Sequence, residues 1–156
     1  MIRNATIADA AELAALMTQL GYPTKKTEMA ARLSAILPDP GYRTCVSEHQ
    51  VCILGMIGLR LIHLYDKSGL YGQLLALCVD RNHRGQGIGE ALVLAGEDWL
   101  KEQGAVEIIV NSSHFREDAH RFYQRLGYEN TGIRLVKSLT DESVQHAIQD
   151  DAKSNY

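Results

Sequence analysis

The chain has no apolar run long enough to cross a membrane, no internal repeat and no low-complexity segment. Its opening residues, Met1-Ile2-Arg3-Asn4-Ala5-Thr6, read as a strand rather than a signal peptide. Cysteine is sparse: Cys45, Cys52 and Cys78 are odd in number and form no C-x-x-C pair. Each sits in strand-like apolar sequence, so buried free thiols in a reducing cytoplasm are expected rather than disulfides or a metal site. Charge of one sign is lacking too, and a net charge of −3 argues against a nucleic-acid partner. What remains is 156 residues, 46% hydrophobic and 22% charged, which suits one globular domain with a substantial core.

Hydrophobic spacing orders the chain. A strand is expected from Ile2 to Thr6, and Thr6-Ile7-Ala8-Asp9 resembles a capping box. Leu13, Leu16, Met17 and Leu20 then form one helical stripe that ends at Gly21. Pro23 and Thr24 open a second helix with Met29, Leu33, Ile36 and Leu37 inward, stopped by Pro38-Asp39-Pro40-Gly41. Strands at 43–48 and 51–64 flank the turn Glu48-His49-Gln50, and the turn Asp66-Lys67-Ser68-Gly69 leads to a third, ending at Val79. A helix at about 87–101, a strand at 106–110, a helix at about 117–126 and a strand pair within 128–139 follow. The order β-α-α-β-β-β-α-β-α-β is α+β: a central mixed, mostly antiparallel sheet with helices on both faces. Residues 140–156 are acidic and poor in apolar side chains, and are expected to form a mobile or partly helical tail.

The most informative stretch is Val79-Asp80-Arg81-Asn82-His83-Arg84-Gly85-Gln86-Gly87-Ile88-Gly89. It joins an apolar strand to an amphipathic helix (Ile88, Ala91, Leu92, Ala95, Trp99) through a basic, glycine-rich turn. The N–H groups of a first helical turn, with the helix dipole, favour an anion. Glycine admits close backbone approach, and the Arg84 guanidinium matches phosphate geometry. Glycines serving only a solvated turn account for the pattern equally well on spacing alone. No lysine follows as in a nucleotide P-loop, and the alternating Gly85, Gly87, Gly89 do not suit a dinucleotide fingerprint.

Arg84-Gly85-Gln86-Gly87-Ile88-Gly89 resembles the R/Q-x-x-G-x-G/A signature of the GNAT superfamily of acetyl-CoA-dependent N-acetyltransferases. Downstream, Ala119-His120-Arg121-Phe122-Tyr123-Gln124-Arg125-Leu126-Gly127-Tyr128 resembles that family's A-x-x-F-Y-x-x-L-G-F/Y segment. The resemblance covers residues 1–139. Around residues 56–59 and 116–123 the chain looks most similar to aminoalkylphosphonate N-acetyltransferases, and less so to aminoglycoside acetyltransferases.

The resemblance implies acetyl-CoA as co-substrate. Residues 84–89 would hold its pyrophosphate, chiefly through main-chain N–H groups. Leu77, Cys78 and Val79 would pair with the pantetheine arm, on a strand that bulges and splays from the next one. A backbone N–H near Cys78 or Val79 would serve the oxyanion. Simple core packing is the alternative for Leu77 and Val79.

Tyr123 stands where the family has its general-acid tyrosine, and a phenol with a pKa of about 10 can protonate a departing thiolate. It also belongs to the helical stripe Ala119, Phe122, Tyr123, Leu126, which packing alone would explain. Arg121 and Arg125 are expected to be solvated.

Two departures stand out. Ala76 occupies the place of the glutamate that many relatives use as base, and no carboxylate occurs from Leu70 to Val79. Deprotonation would then run through water or through His63, His114 or His120, each of which a surface or structural role explains as well. Arg116 replaces a pantetheine-contacting asparagine, with Asn111 or Ser113 as substitutes. Arg60, His63 and Tyr65 could line an acceptor site for an anionic amine, or lie on the surface.

A small primary amine is the expected acceptor, in a cytoplasmic enzyme without nucleic-acid or membrane partners and with no metal. A homodimer is expected by family analogy. A protein N-terminal or lysine acetyltransferase and a non-catalytic acyl-CoA sensor are the alternatives.

Overall fold

The computed structural model describes residues 1–111, 117–132 and 135–140, in two compact units, Met1–Val110 and Asn111–Tyr156. The first unit runs β1 (Ile2–Asn4), a 3-10 turn (Ile7–Asp9), α1 (Ala10–Gln19), α2 (Lys26–Ile36), β2 (Tyr42–His49), β3 (Cys52–Ile62) and β4 (Leu70–Val79). It continues with a second 3-10 turn (Arg81–His83), α3 (Ile88–Glu102) and β5 (Ala105–Val110). The second unit holds α4 (Glu117–Arg125). The α+β class and the element order through α4 are those expected from the sequence.

The five strands lie in sequence order, antiparallel from β1 to β4, while β5 runs parallel to β4. A parallel neighbour requires a crossover, and α3 supplies it. Leu13, Leu16, Met29 and Leu33 of α1 and α2 cluster with Val46, Met56 and Cys78 on one face of the sheet. On the other face a Cβ on Gly96 of α3 would meet Leu59 Cδ1 at 2.7 Å and Ile57 Cδ1 at 3.1 Å. Fully burying one such leucine contributes roughly 1.5–3 kcal/mol, so both faces anchor the sheet to its helices.

Local chemistry sets the element ends. Asp9 accepts from the N–H of Thr6 at 2.7 Å, completing the expected capping box. Its carboxylate also takes two bonds from Arg3, each 2.9 Å. Arg3 bonds Glu48 as well, at 3.0 and 3.1 Å, tying β1 to β2. These bonds hold Asp9 and Glu48 below the usual carboxylate range. α2 starts at Lys26, two residues after Thr24: its cap is Lys25, whose N–H bonds Glu28 Oε2 at 2.7 Å. The β2–β3 turn centres on Gln50 and Val51, both at positive φ, as a tight hairpin of primed type requires.

The closing strand pair expected within 128–139 is not formed in residues 128–132 or 135–139. Gly127, at φ +88°, ends α4, and the N–H of Tyr128 turns back to the Tyr123 carbonyl at 3.0 Å. Asn130 Oδ1 accepts from the Gly132 N–H at 3.3 Å, and Ser138 Oγ accepts from the Thr140 N–H at 3.2 Å. Such local bonds occupy groups that a ladder would need. Residues 133–134 and the tail 141–156 lie outside the described residues.

Candidate active site

In the first unit the site is the free stretch of one strand edge and the loop that follows it. The β3–β4 ladder slips once: Gly58 faces Ala76 but Leu59 faces Leu74, so Leu75 is the extra residue of a β-bulge. On the other edge the β4–β5 ladder runs from Leu70↔Ala105 to Leu74↔Val110 and stops there. Residues 75–79 therefore continue past the last β5 pairing, Leu74↔Val110, and the bulge on β4 is the one that the resemblance led us to expect.

The register says which backbone groups face that open edge. The Asp80 N–H bonds Leu54 O at 2.8 Å, so Leu54↔Asp80 is a hydrogen-bonded pair. Antiparallel pairs alternate, which makes Met56↔Cys78 hydrogen-bonded and directs the N–H and C=O of Leu77 and Val79 away from β3. Of the three residues expected to meet pantetheine, Leu77 and Val79 offer open-edge backbone, while Cys78 spends its own on β3. The Cys78 side chain is buried against α1, its Sγ 3.2 Å from Leu16 O. Ala76, in place of the glutamate, packs against the same core.

After Val79 the chain turns through Asp80 into the glycine loop. Arg84 Nε donates to Val79 O at 3.2 Å, so the loop closes on the end of its own strand. Gly85 and Gly87 stand at φ +73° and +79°, and a Cβ on either would meet nothing within 4 Å. Both glycines are thus required by backbone conformation, and both border open space. Gly87 caps α3, whose first intrahelical donor is Ala91, bonding Gly87 O at 3.0 Å. The N–H groups of Ile88, Gly89 and Glu90 precede it and make up the helix's positive end. Arg84, Gly85, Gln86 and Gly87 are exposed, and Ile88 and Gly89 are half-buried. An open cradle of donors with a guanidinium beside it fits a diphosphate.

Sequence reasoning missed the residues that hold this loop. Asp80 Oδ2 accepts from Gln19 Nε2 at 2.9 Å, and Oδ1 accepts from the Asn82 N–H at 3.0 Å and lies 2.8 Å from His83 Nδ1. Led by the Gln19 bond and then by His83, these contacts bring the Asp80 carboxyl down to about 2. Gln19 Oε1 in turn accepts from the Arg81 N–H at 2.9 Å. An aspartate before a turn is a legible cap, but nothing local marks Gln19, 61 positions earlier.

The other histidine and acceptor candidates separate. His63 and Tyr65 lie beyond the end of β3 and are exposed, and His63 Nδ1 sits 3.2 Å from Gly69 O in the turn. Arg60 is on β3, its Nε donating to Gln73 Oε1 on β4 at 2.9 Å.

The second unit holds the tyrosine. Tyr123 is half-buried on α4, its ring 5.2 Å from that of Phe122 and 5.4 Å from that of Tyr128, centroid to centroid. Its carbonyl accepts from Leu126 and Tyr128, closing the helix. Arg121 pairs with Asp118 at 2.6 Å at the surface, and Arg125 is exposed. His120 is half-buried and Asn111 exposed. Ser113, His114 and Arg116 lie outside the described residues. Among the described residues no helix is long and apolar enough to cross a membrane, and no cluster of potential ligands could hold a metal ion.

Comparison with known proteins agrees with this geometry. Residues 10–128 match the model of the acetyltransferase (GNAT) family. An aminoalkylphosphonate N-acetyltransferase of Salmonella typhimurium is 32% identical over 144 residues, covering 88% of this chain and 90% of that protein. Human N-acetyltransferase 8B is 31% identical over 78% of this chain, which spans 56% of that relative's length. A crystal structure of a GNAT family acetyltransferase from Staphylococcus aureus superposes with a TM-score of 0.76 at 25% identity, over 89% of this chain and 98% of the other. With its bulged strand, glycine loop and crossover helix in that order, the chain belongs to the GNAT family of acetyltransferases.

Proposed function

We propose that the protein transfers the acetyl group of acetyl-CoA to a primary amine of a small molecule. The observation that carries this reading is the continuity of two features: the open backbone edge at Leu77 and Val79 runs directly into the loop at residues 84–89. A linear thioester with a diphosphate at its far end suits that path. Leu77 and Val79 N–H groups are the donors suited to the pantetheine amides and to the developing oxyanion. The main-chain groups of residues 85–89 and the Arg84 guanidinium take the diphosphate.

In the reaction the neutral amine nitrogen attacks the thioester carbonyl, a C–N bond forms, and the negative charge moves to oxygen. Collapse breaks the C–S bond, Tyr123 gives its phenolic proton to the thiolate sulfur, and the ammonium proton leaves to water, from which the tyrosinate is reprotonated. No carboxylate of β4 serves as base, because Ala76 stands at the expected position and packs in the core. Holding both reactants together can supply on the order of 7–11 kcal/mol of the barrier, so a water-mediated base is chemically sufficient.

The name of the Salmonella relative supports a small amine acceptor, and the Arg60–Gln73 pair on the sheet suits an acceptor that carries an anionic group. The free thiols Cys45, Cys52 and Cys78 suit a reducing compartment such as the cytoplasm. Calorimetric titration of coenzyme A into the protein, followed by thiol release from acetyl-CoA over a panel of amines, tests the reading. Binding with turnover on a small amine supports it, turnover on peptides alone replaces the acceptor class, and no heat with coenzyme A overturns it.

A further inference from the structure

Gln19 is the last residue of α1, yet its side-chain amide bonds a segment 61 residues away through both its nitrogen and its oxygen. Nε2 donates to Asp80 Oδ2 at 2.9 Å, and Oε1 accepts from the Arg81 N–H at 2.9 Å. A primary amide is suited to this double task, because it donates and accepts side by side in one plane. The bonded pair, Asp80 and Arg81, forms the hinge between the end of β4 and the glycine loop. Asp80 passes the constraint on: its other oxygen accepts from the Asn82 N–H at 3.0 Å and meets His83 Nδ1 at 2.8 Å. One residue later Arg84 closes on Val79 O.

The remainder of the loop has little else to hold it. Gly85 and Gly87 have open space around them and the widest backbone freedom of any residue. Ordering a loop at the moment of binding weakens affinity, whereas a loop ordered beforehand does not carry that penalty. Asp80 also places a carboxylate close to where a diphosphate would sit. Both of its oxygens are engaged, by Gln19, Asn82 and His83.

We infer that Gln19 is a positioning residue for the coenzyme A diphosphate: its amide, through Asp80 and Arg81, holds the turn from which the glycine loop presents its N–H groups. The inference rests on the proposed function, since it assumes that residues 84–89 meet the diphosphate. It adds a residue from α1, outside the motif, that touches neither substrate nor reacting atoms.

Two variants separate the bonds from the packing. Gln19→Ala removes the side chain beyond Cβ, and Gln19→Met keeps its length and helix preference but neither polar group. Coenzyme A binding is measured by calorimetry, and amide hydrogen exchange is followed along the chain in the ligand-free protein. Two lost hydrogen bonds, one of them to a carboxylate, predict about a tenfold rise in Kd for both variants. Exchange should quicken at residues 81–90 and stay unchanged in β2, β3 and the core of α3. Wild-type affinity in Gln19→Met overturns the inference while leaving the diphosphate site intact. Faster exchange throughout the sheet overturns it too, because Gln19 would then be a general stabiliser. Absence of binding by the wild-type protein overturns the proposed function itself, and the inference with it.

Discussion

Arg84 donates through Nε to the carbonyl oxygen of Val79 at 3.2 Å, so the guanidinium is oriented by the strand edge before any ligand arrives. In the proposed function the terminal nitrogens are then the part of the fork that meets the diphosphate. Hydrogen bonds to charged groups contribute about 1.5–3 kcal/mol, so Arg84→Ala should weaken coenzyme A binding roughly ten- to a hundredfold in calorimetry. Arg84→Lys should fall between, keeping the charge but losing the planar fork.

Gly87 gives a sharper contrast between fold and site. At φ +79° an alanine there is strained by about 1–2 kcal/mol, but its Cβ meets no protein atom. Gly87→Ala should therefore fold with a modestly lower melting temperature and still lose coenzyme A binding more than tenfold. Parallel thermal melts and titrations check both halves.

Asp80 sets a pH dependence whose sign is fixed. Its carboxyl is lowered from 3.8 to about 2, so the folded state favours the charged form more than the unfolded chain does. The stabilisation is present above about pH 4 and disappears as the pH falls through about 2. The melting-temperature gap between wild type and Asp80→Asn should be constant above pH 5 and shrink between pH 4 and pH 2. A gap that widens with acid would contradict the hydrogen-bonded carboxylate.

Tyr123→Phe keeps an aromatic ring against Phe122 and Tyr128, so the fold should be unaffected. Loss of a general acid should lower turnover by about a hundredfold, with coenzyme A affinity within about twofold of wild type. Thiol-release kinetics across pH, beside calorimetry, read this out. Equal turnover would return Tyr123 to a packing role.

Gly96 tests the opposite face of the sheet. Alanine is the better helix former by about 1 kcal/mol, but its Cβ would press on Leu59 and Ile57, both completely buried. Overpacking of this kind costs about 1–3 kcal/mol, so Gly96→Ala should lower the urea midpoint while sparing coenzyme A affinity.

The sequence made most elements legible because their signals are local. Thr6 and Asp9 specify a capping box within four residues, and Gly85 and Gly87 mark positive φ by their identity alone. The motif marked the glycine loop, but register was needed to see that Val79, and not Cys78, turns its backbone to the open edge. Gln19 escaped notice because its meaning depends on a tertiary bond to Asp80. The stretch 128–139 misled through the opposite effect: Tyr128, Ile133, Leu135, Val136 and Leu139 suit strands, but at 128–132 the Gly127 turn and the Asn130 side chain claim the backbone first.

The bulge at Leu75 also fixes which side of β4 each residue serves. Gly72 looks toward Leu100 of α3, whereas Ala76 and Cys78, also even-numbered, look toward α1. One additional residue has inverted the inside–outside alternation partway along a single strand. Deleting it would bring Leu59↔Leu74 and Gly58↔Ala76 into consecutive register and leave Leu77 and Cys78 on the faces they already occupy, but would remove the local bend that a bulge gives its strand. What the extra residue adds is shape at the start of the open edge rather than a change of neighbours.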